Sequence, residues 1–341
     1  MQKFLYRLFR FSLIGLIPLI IISVLYVIFD PFKVLYNYDS FIETGVKGMG
    51  PLNKDYVSTT TFINNSKKIN YNSFIFGNSR SIFYQISEWK KFINLDASCY
   101  HFDASGESLY AINKKIEFID KKGNEISNIL LVLDYETLMQ DEPRLDHHLF
   151  IISPILVNNS NVIEFHKTFF FAFFNPKFLY AFLDFKISGR IKPYMKQNNL
   201  LDDRPRNYDV LTNELRFDSY EDMIRKNNYY TSKRLSVFFN RDTTIQHFSP
   251  KCILENQKKM LKNILSITQK HNTAIKIVIN PLYDQQKLNE EDLEYLKILF
   301  GKNNVFDFSG INKFTNDYRN YYEASHYRPH VASEILKIIY E

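Results

Sequence analysis

The sequence predicts an α/β fold, three layers arranged as α/β/α around a central parallel sheet, carried on one N-terminal transmembrane helix. Five short apolar runs alternate with longer segments of helical pattern: Ser73 to Phe76, Cys99 to Phe102, Ile129 to Leu133, Ile275 to Ile279 and Val305 to Phe308. Runs of this length, rich in Ile, Val and Phe, read as buried parallel strands, and the segments between them are long enough for crossover helices on both faces. A second observation concerns the N-terminus, where no charged residue occurs from Phe11 to Phe29. The third is compositional: of 341 residues 45% are hydrophobic and 23% charged, which excludes wholesale disorder and a multi-pass membrane protein.

The N-terminal run of about 19 residues spans about 28 Å as a helix, matching a bilayer core of about 30 Å. Lys3, Arg7 and Arg10 precede it, and Asp30, Lys33, Asp39 and Glu43 follow. The basic end should stay in the cytoplasm, placing everything after Asp30 outside. A cleaved signal peptide is the rival reading, since it too has a basic start and an apolar run. The run is longer than a usual signal-peptide core, however, and the following Phe29-Asp30-Pro31-Phe32-Lys33 offers no small-residue cleavage site. Pro18 is tolerable within a membrane helix. The expectation is an uncleaved anchor over residues 1–30.

Residues 31–70 lack a sustained apolar period and contain Gly45, Gly48, Gly50 and Pro51, so they read as a juxtamembrane linker with little core of its own. Residues 71–341 then form one α/β domain. More than 130 residues separate its third and fourth apolar runs, too many for a loop, so a largely helical insertion is expected at about residues 141–250, including the aromatic stretch Phe169 to Phe185. That stretch reads first as helix core; beside a bilayer it also suits an interfacial or partner-binding face. With 31 Phe and 23 Tyr in the chain, single aromatics carry little functional weight.

The 43 Lys and Arg against 37 Asp and Glu are spread without a basic block, which argues against a nucleic-acid reader. The two cysteines, Cys99 and Cys252, exclude a disulfide framework and a Cys-rich zinc site, leaving room for one bridge.

The first apolar run ends in Phe76-Gly77-Asn78-Ser79-Arg80-Ser81 and leads into a helical pattern, Ser81 to Phe92. A serine there stands at the carboxyl end of the sheet, where open α/β folds bind ligands, and the amides of a following helix suit an oxyanion. Ser and Asn are also ordinary helix caps. Near the C-terminus, Glu323-Ala324-Ser325-His326 precedes a helical pattern from Pro329 to Tyr340, with Pro at the first helical position. A carboxylate accepting one imidazole N–H fixes the tautomer, freeing the other nitrogen to take a proton from a serine hydroxyl. The rival is a surface histidine.

These residues resemble a family. Gly77-Asn78-Ser79-Arg80 is similar to the first block of SGNH (GDSL-like) hydrolases, Glu323-x-x-His326 to their final Asp-x-x-His block, and Asp103-Ala104-Ser105-Gly106-Glu107-Ser108 to the second block, whose glycine amide serves the oxyanion hole. With the N-terminal anchor, the resemblance is to membrane-anchored envelope members, such as the D-alanyl-lipoteichoic acid biosynthesis protein and SGNH-like proteins of polysaccharide O-acetylation. It covers roughly residues 71 to 140 and 270 to 341, and the order and spacing of the motifs carry most of its specificity. It implies Ser79 as nucleophile, His326 as general base, Glu323 as its orienter, and the Ser79 and Gly106 amides as oxyanion donors, with no cofactor. Two positions depart from the pattern: Glu323 is one methylene longer than Asp, and Asp134 stands where the third block has asparagine. An ionised carboxylate accepts hydrogen bonds and would repel an oxyanion, so Asp134 is expected to be structural.

Other motifs fare worse. Gly45 and Gly50 have phosphate-loop spacing, but Pro51 and Leu52 follow where Lys and Ser/Thr are needed; Gly-x-Ser-x-Gly is absent. His326 and His330 are interrupted by Pro329, and Asp141, Asp146, His147 and His148 fall on a polar stretch, so no metal site is expected. The resemblance implies an extracytoplasmic acyltransferase or esterase acting on ester-linked groups of a surface glycan or glycolipid, with a membrane-embedded acyltransferase as a partner. The alternative is a non-catalytic subunit of the same fold that binds an acyl-transfer or polysaccharide-assembly partner.

Overall fold

The five apolar runs are the five strands of one parallel sheet. A computed structural model describes residues 2–43, 50–145, 147–196, 200–201 and 206–341. In chain order, helix α1 (Gln2–Phe29) and helix α2 (Lys54–Asn65) precede β1 (Ser73–Gly77) and β2 (Cys99–His101), then α3 (Leu109–Lys121) and β3 (Asn128–Leu133). The region between β3 and the fourth sheet strand carries α4 (Val162–Phe174) and α5 (Pro176–Ser188), after which come α6 (Glu255–Lys270), β4 (Ala274–Ile279), α7 (Glu290–Phe300), β5 (Val305–Asp307) and α8 (Pro329–Tyr340). The strands lie side by side as β2-β1-β3-β4-β5, all parallel. This is the doubly wound order 2-1-3-4-5, whose switch point for ligand binding lies between the carboxyl ends of β1 and β3.

Side chains alternate across the sheet with period two, so each strand feeds two cores. Phe74, Phe76, Leu131, Leu133, Ile277 and Ile279 face a core closed by α2, α3, α6 and α7. Ile75, Leu130, Val132 and Val278 face the opposite core, closed by α8 and residues 82–89.

Two expectations change. Within the stretch read as a linker, α2 is part of the domain: Phe62 is fully buried in the first core beside Phe74 and Tyr100. Its inward face is otherwise Ser58, Thr59 and Thr61, all buried, and the Ser58 hydroxyl returns a hydrogen bond to the Lys54 carbonyl at 2.7 Å. A helix whose buried face is made largely of small hydroxyl side chains shows no apolar period, which hid it from the hydropathy pattern. Gly45 and Gly48 lie outside the described residues.

The helical pattern Ser81 to Phe92 is likewise broken into a 3-10 turn, Ser81–Phe83, and a single helical turn, Ile86–Trp89. Ile82, Phe83 and Tyr84 are all buried, and three consecutive inward residues cannot share one face of a continuous helix.

The insertion holds α4 and α5, shorter helices, and an antiparallel pair, Asn207–Asp209 with Glu214–Arg216. That pair meets the sheet at its edge, where the His101 amide donates to the Thr212 carbonyl at 2.9 Å, covering an otherwise open strand.

Candidate active site

Gly77 closes β1 with φ +155°, and a Cβ there would lie 2.6 Å from the Val132 carbonyl oxygen. Only glycine allows the chain to turn this close to β3. Beyond it, the Asn78 side-chain oxygen accepts the Arg80 amide at 3.0 Å, and the Asn78 carbonyl accepts both the amide and hydroxyl of Ser81. His101 at the end of β2 adds a bond from its Nε2 to the Ser81 carbonyl at 2.9 Å. Ser79 stands at the apex of this tight elbow.

The partner of Ser79 arrives from the other end of the chain. Tyr321–Glu323 and His326–Tyr327 pair as a short antiparallel hairpin just before α8, so the expected loop is partly strand. Its irregular register lets Glu323 and His326 face one another: Glu323 Oε1 hydrogen-bonds His326 Nδ1, and Glu323 Oε2 accepts the Ser325 amide at 2.8 Å. His326 Nε2 lies 2.7 Å from Ser79 Oγ. The three residues thus form one hydrogen-bonded line, with the imidazole packed edge-on against Phe83. Burial alone would raise the Glu323 carboxyl, but His326, the Ser325 amide and the Arg80 charge together bring it below its ordinary value. A carboxylate held on Nδ1 leaves Nε2 as the acceptor for the serine proton.

Beneath this line, the residues immediately after β1, β3 and β4 form a buried network. Asp134 Oδ2 accepts from Asn78 at 2.8 Å, Arg80 at 2.8 Å and Asn280 at 3.1 Å, while Oδ1 accepts the Thr137 amide at 2.9 Å as the cap of a short helix. Burial opposes ionisation of Asp134, yet the Arg80 charge and the Thr137 amide hold it below the ordinary carboxylate range. The network reaches the histidine hairpin twice. Arg80 Nε donates to the Ser325 carbonyl at 3.0 Å, and the Tyr327 hydroxyl donates to Asn280 at 2.9 Å. Asp134 therefore holds the serine elbow and the histidine hairpin to one support.

Arg80, Asn280 and Tyr327 were not singled out from sequence. A signal existed for Asn280, which like Asn78 and Asp134 is the polar residue ending an apolar run, at the carboxyl edge where site residues gather.

Gly106 sits in the loop after β2, which is held to β1 by the Ala104 amide on the Gly77 carbonyl at 3.3 Å. Its φ of +54° is left-handed, and a Cβ would press on the Arg144 guanidinium and the Phe150 ring. Arg144 donates to the Gly106 carbonyl at 3.3 Å. The next residue, Glu107, pairs with Lys115 of α3, which lies 2.8 Å from Asp55 of α2. This buried ionic cluster fastens the loop to two helices. Burial, reinforced by Asp55, pushes Glu107 up to about 7 against the pull of Lys115.

Among the described residues no group of three or more His, Cys, Asp or Glu gathers as a metal site, and Asp146 lies outside them. His147 and His148 stack on each other, while His330 Nε2 lies 2.9 Å from Asn320 Oδ1. Cys99 and Cys252 are buried and unbridged. A cavity of about 670 Å3 lined by Phe32, His148, Phe171 and Phe178 lies by the end of α1 and includes no residue of the Ser79 line. Comparison with known proteins gave no matching family model, curated protein or solved structure.

Proposed function

We propose that this chain is a membrane-anchored, extracytoplasmic serine-dependent acyltransferase or esterase of SGNH type, acting on ester-linked groups of a cell-surface glycan or glycolipid. The observation that carries the reading is the line Ser79–His326–Glu323, drawn together from positions 247 residues apart. His326 Nε2 takes the Ser79 proton as Oγ attacks the ester carbonyl, and the amides of Ser79 and Gly106 receive the developing oxyanion. Collapse expels the alcohol, which takes the proton from His326 and leaves an acyl-Ser79 ester. A glycan hydroxyl or water then repeats the sequence in reverse, giving transfer or hydrolysis.

The openness of the site supports a large external substrate, since the His326 and Glu323 side chains remain 30% and 37% exposed. The apolar α1, with its basic residues at the N-terminal end, supports a signal anchor with residues beyond Asp30 outside the cytoplasm. A fluorophosphonate probe tests the reaction class. Wild-type protein should be labelled and Ser79→Ala spared. Equal labelling of the two removes Ser79 as nucleophile, and absence of labelling in both favours the non-catalytic, partner-binding alternative.

A further inference from the structure

We propose that the α4–α5 hairpin is itself a membrane-surface element, seated in the outer interfacial layer of the bilayer beside the last two turns of α1. This rests on reading α1 as an anchor and adds a second contact with the same membrane. The argument is one of depth. Arg10 bounds the apolar run on one side and Asp30 on the other, so a span needing about 20 residues must use nearly all of Phe11 to Phe29. The outer end of that run is nevertheless covered by protein.

Tyr26 packs on Phe170 and Phe173 of α4 at ring separations of 5.5 and 5.4 Å, and Phe29 packs on Phe182 of α5 at 5.7 Å. Ile22 and Leu25 lie against the same cluster. Ile22 is seven residues before Phe29, about 10 Å along the helix axis. The cluster built around the hairpin therefore covers α1 from Phe29 back to Ile22, about 10 Å below the apolar boundary, the depth at which interfacial helices lie.

Its surface has the matching chemistry. Phe171, Tyr180 and Ile187 are 61%, 65% and 88% exposed, a cost in water that an interface removes. The Lys186 ammonium crosses the Phe29 ring at 4.9 Å, as a lysine stem does when its charge reaches toward headgroups. Aromatic side chains with polar tips, such as Tyr180, favour the same layer.

The test uses the full-length chain in phosphatidylcholine–phosphatidylglycerol vesicles. Cys99 and Cys252 are buried, so a single introduced cysteine can be labelled with an environment-sensitive nitrobenzoxadiazole dye. Phe171→Cys and Ile187→Cys report on the hairpin, and Ile298→Cys on the exposed face of α7 serves as reference. With nitroxide lipids labelled near the headgroup, dye at positions 171 and 187 should be quenched several-fold more than at 298, with blue-shifted emission. Flotation of the chain with vesicles after alkaline carbonate reports separately on the anchor. Flotation with quenching no greater than at position 298 overturns the hairpin proposal alone, including in favour of a protein partner covering it. Failure to float overturns the anchor and the proposal with it.

Discussion

Two charged clusters sit near the carboxyl ends of β1 and β2, and they are built to opposite rules. Lys115, Asp55 and Glu107 are sealed, with side chains 0%, 5% and 2% exposed, and each charge faces another within the cluster. The His326 and Glu323 side chains are partly open to solvent, and their line ends on the partly exposed Ser79 hydroxyl. The sealed cluster joins three chain segments, so its charges are spent on cohesion. The open line is braced from beneath by Asp134, so its outermost group need not hold the fold together. Replacements should accordingly separate activity from stability.

The largest effect is expected at the open line. Ser79→Ala and His326→Ala should each lower the hydrolysis of an activated acetyl ester by about 10^3-fold or more, with the double variant little worse, because the two act as one unit. Thermal unfolding should move by less than about 0.5 kcal/mol, as for other sites that are not buried. A large stability loss in these variants would erase the contrast with the sealed cluster. Lys115→Met should do the reverse to stability, leaving Asp55 and Glu107 buried face to face and costing about 3–5 kcal/mol in denaturant unfolding at neutral pH. A loss below about 1 kcal/mol would mean that water reaches the cluster.

Asp134 lies between these extremes, supporting the open line from a buried position. In Asp134→Asn one oxygen becomes a donor, while Asn78, Arg80, Asn280 and the Thr137 amide all still donate toward it. At least one donor is left unpaired, for about 1–3 kcal/mol of stability. Turnover should fall too, since the Arg80 bond to the Ser325 carbonyl and the Asn280 bond to Tyr327 position His326. A rate gain at unchanged stability would instead show that Asp134 faces the reacting oxygen.

The same distinction explains what could be read in the sequence. The five strands were legible because each is a short apolar run, with β1, β2 and β3 buried on both faces. Ser79, His326 and Glu323 could be named because each lies in a local motif at a strand or helix end, and the structure brings those three together. Of the support beneath them Asp134 could be read as structural, but its pairings could not. Arg80 reaches Ser325 across 245 positions and Asn280 reaches Asp134 across 146, and no local period records such pairings. Helix α2 was missed for a different reason, since its buried Ser58, Thr59 and Thr61 carry hydroxyl side chains that hydropathy counts as surface. The broken helix after Ser79 reflects tertiary packing overriding a pattern that was locally helical.

The smallest effect is expected at Glu107, and it grows as pH rises. With its folded value raised to about 7 from an ordinary 4.5, Glu107 binds its proton more tightly in the native state than in the unfolded chain. Its contribution to stability is therefore fully present below about pH 4.5 and is lost as pH rises through about 7. Glu107→Gln imitates the protonated form at every pH, with one acceptor for Lys115 or the Ser108 amide and a donor in place of the other oxygen. The difference in unfolding midpoint between wild type and Glu107→Gln cancels the titration of every other carboxylate. At pH 5 the two proteins should be close, and by pH 8 the variant should be the more stable. A difference running the other way, with wild type gaining on the variant as pH rises, would mean that Lys115 outweighs burial and that Glu107 is held as a carboxylate. The sealed cluster would then be a well-matched ion pair, and the strain assigned here to its second acid would be absent.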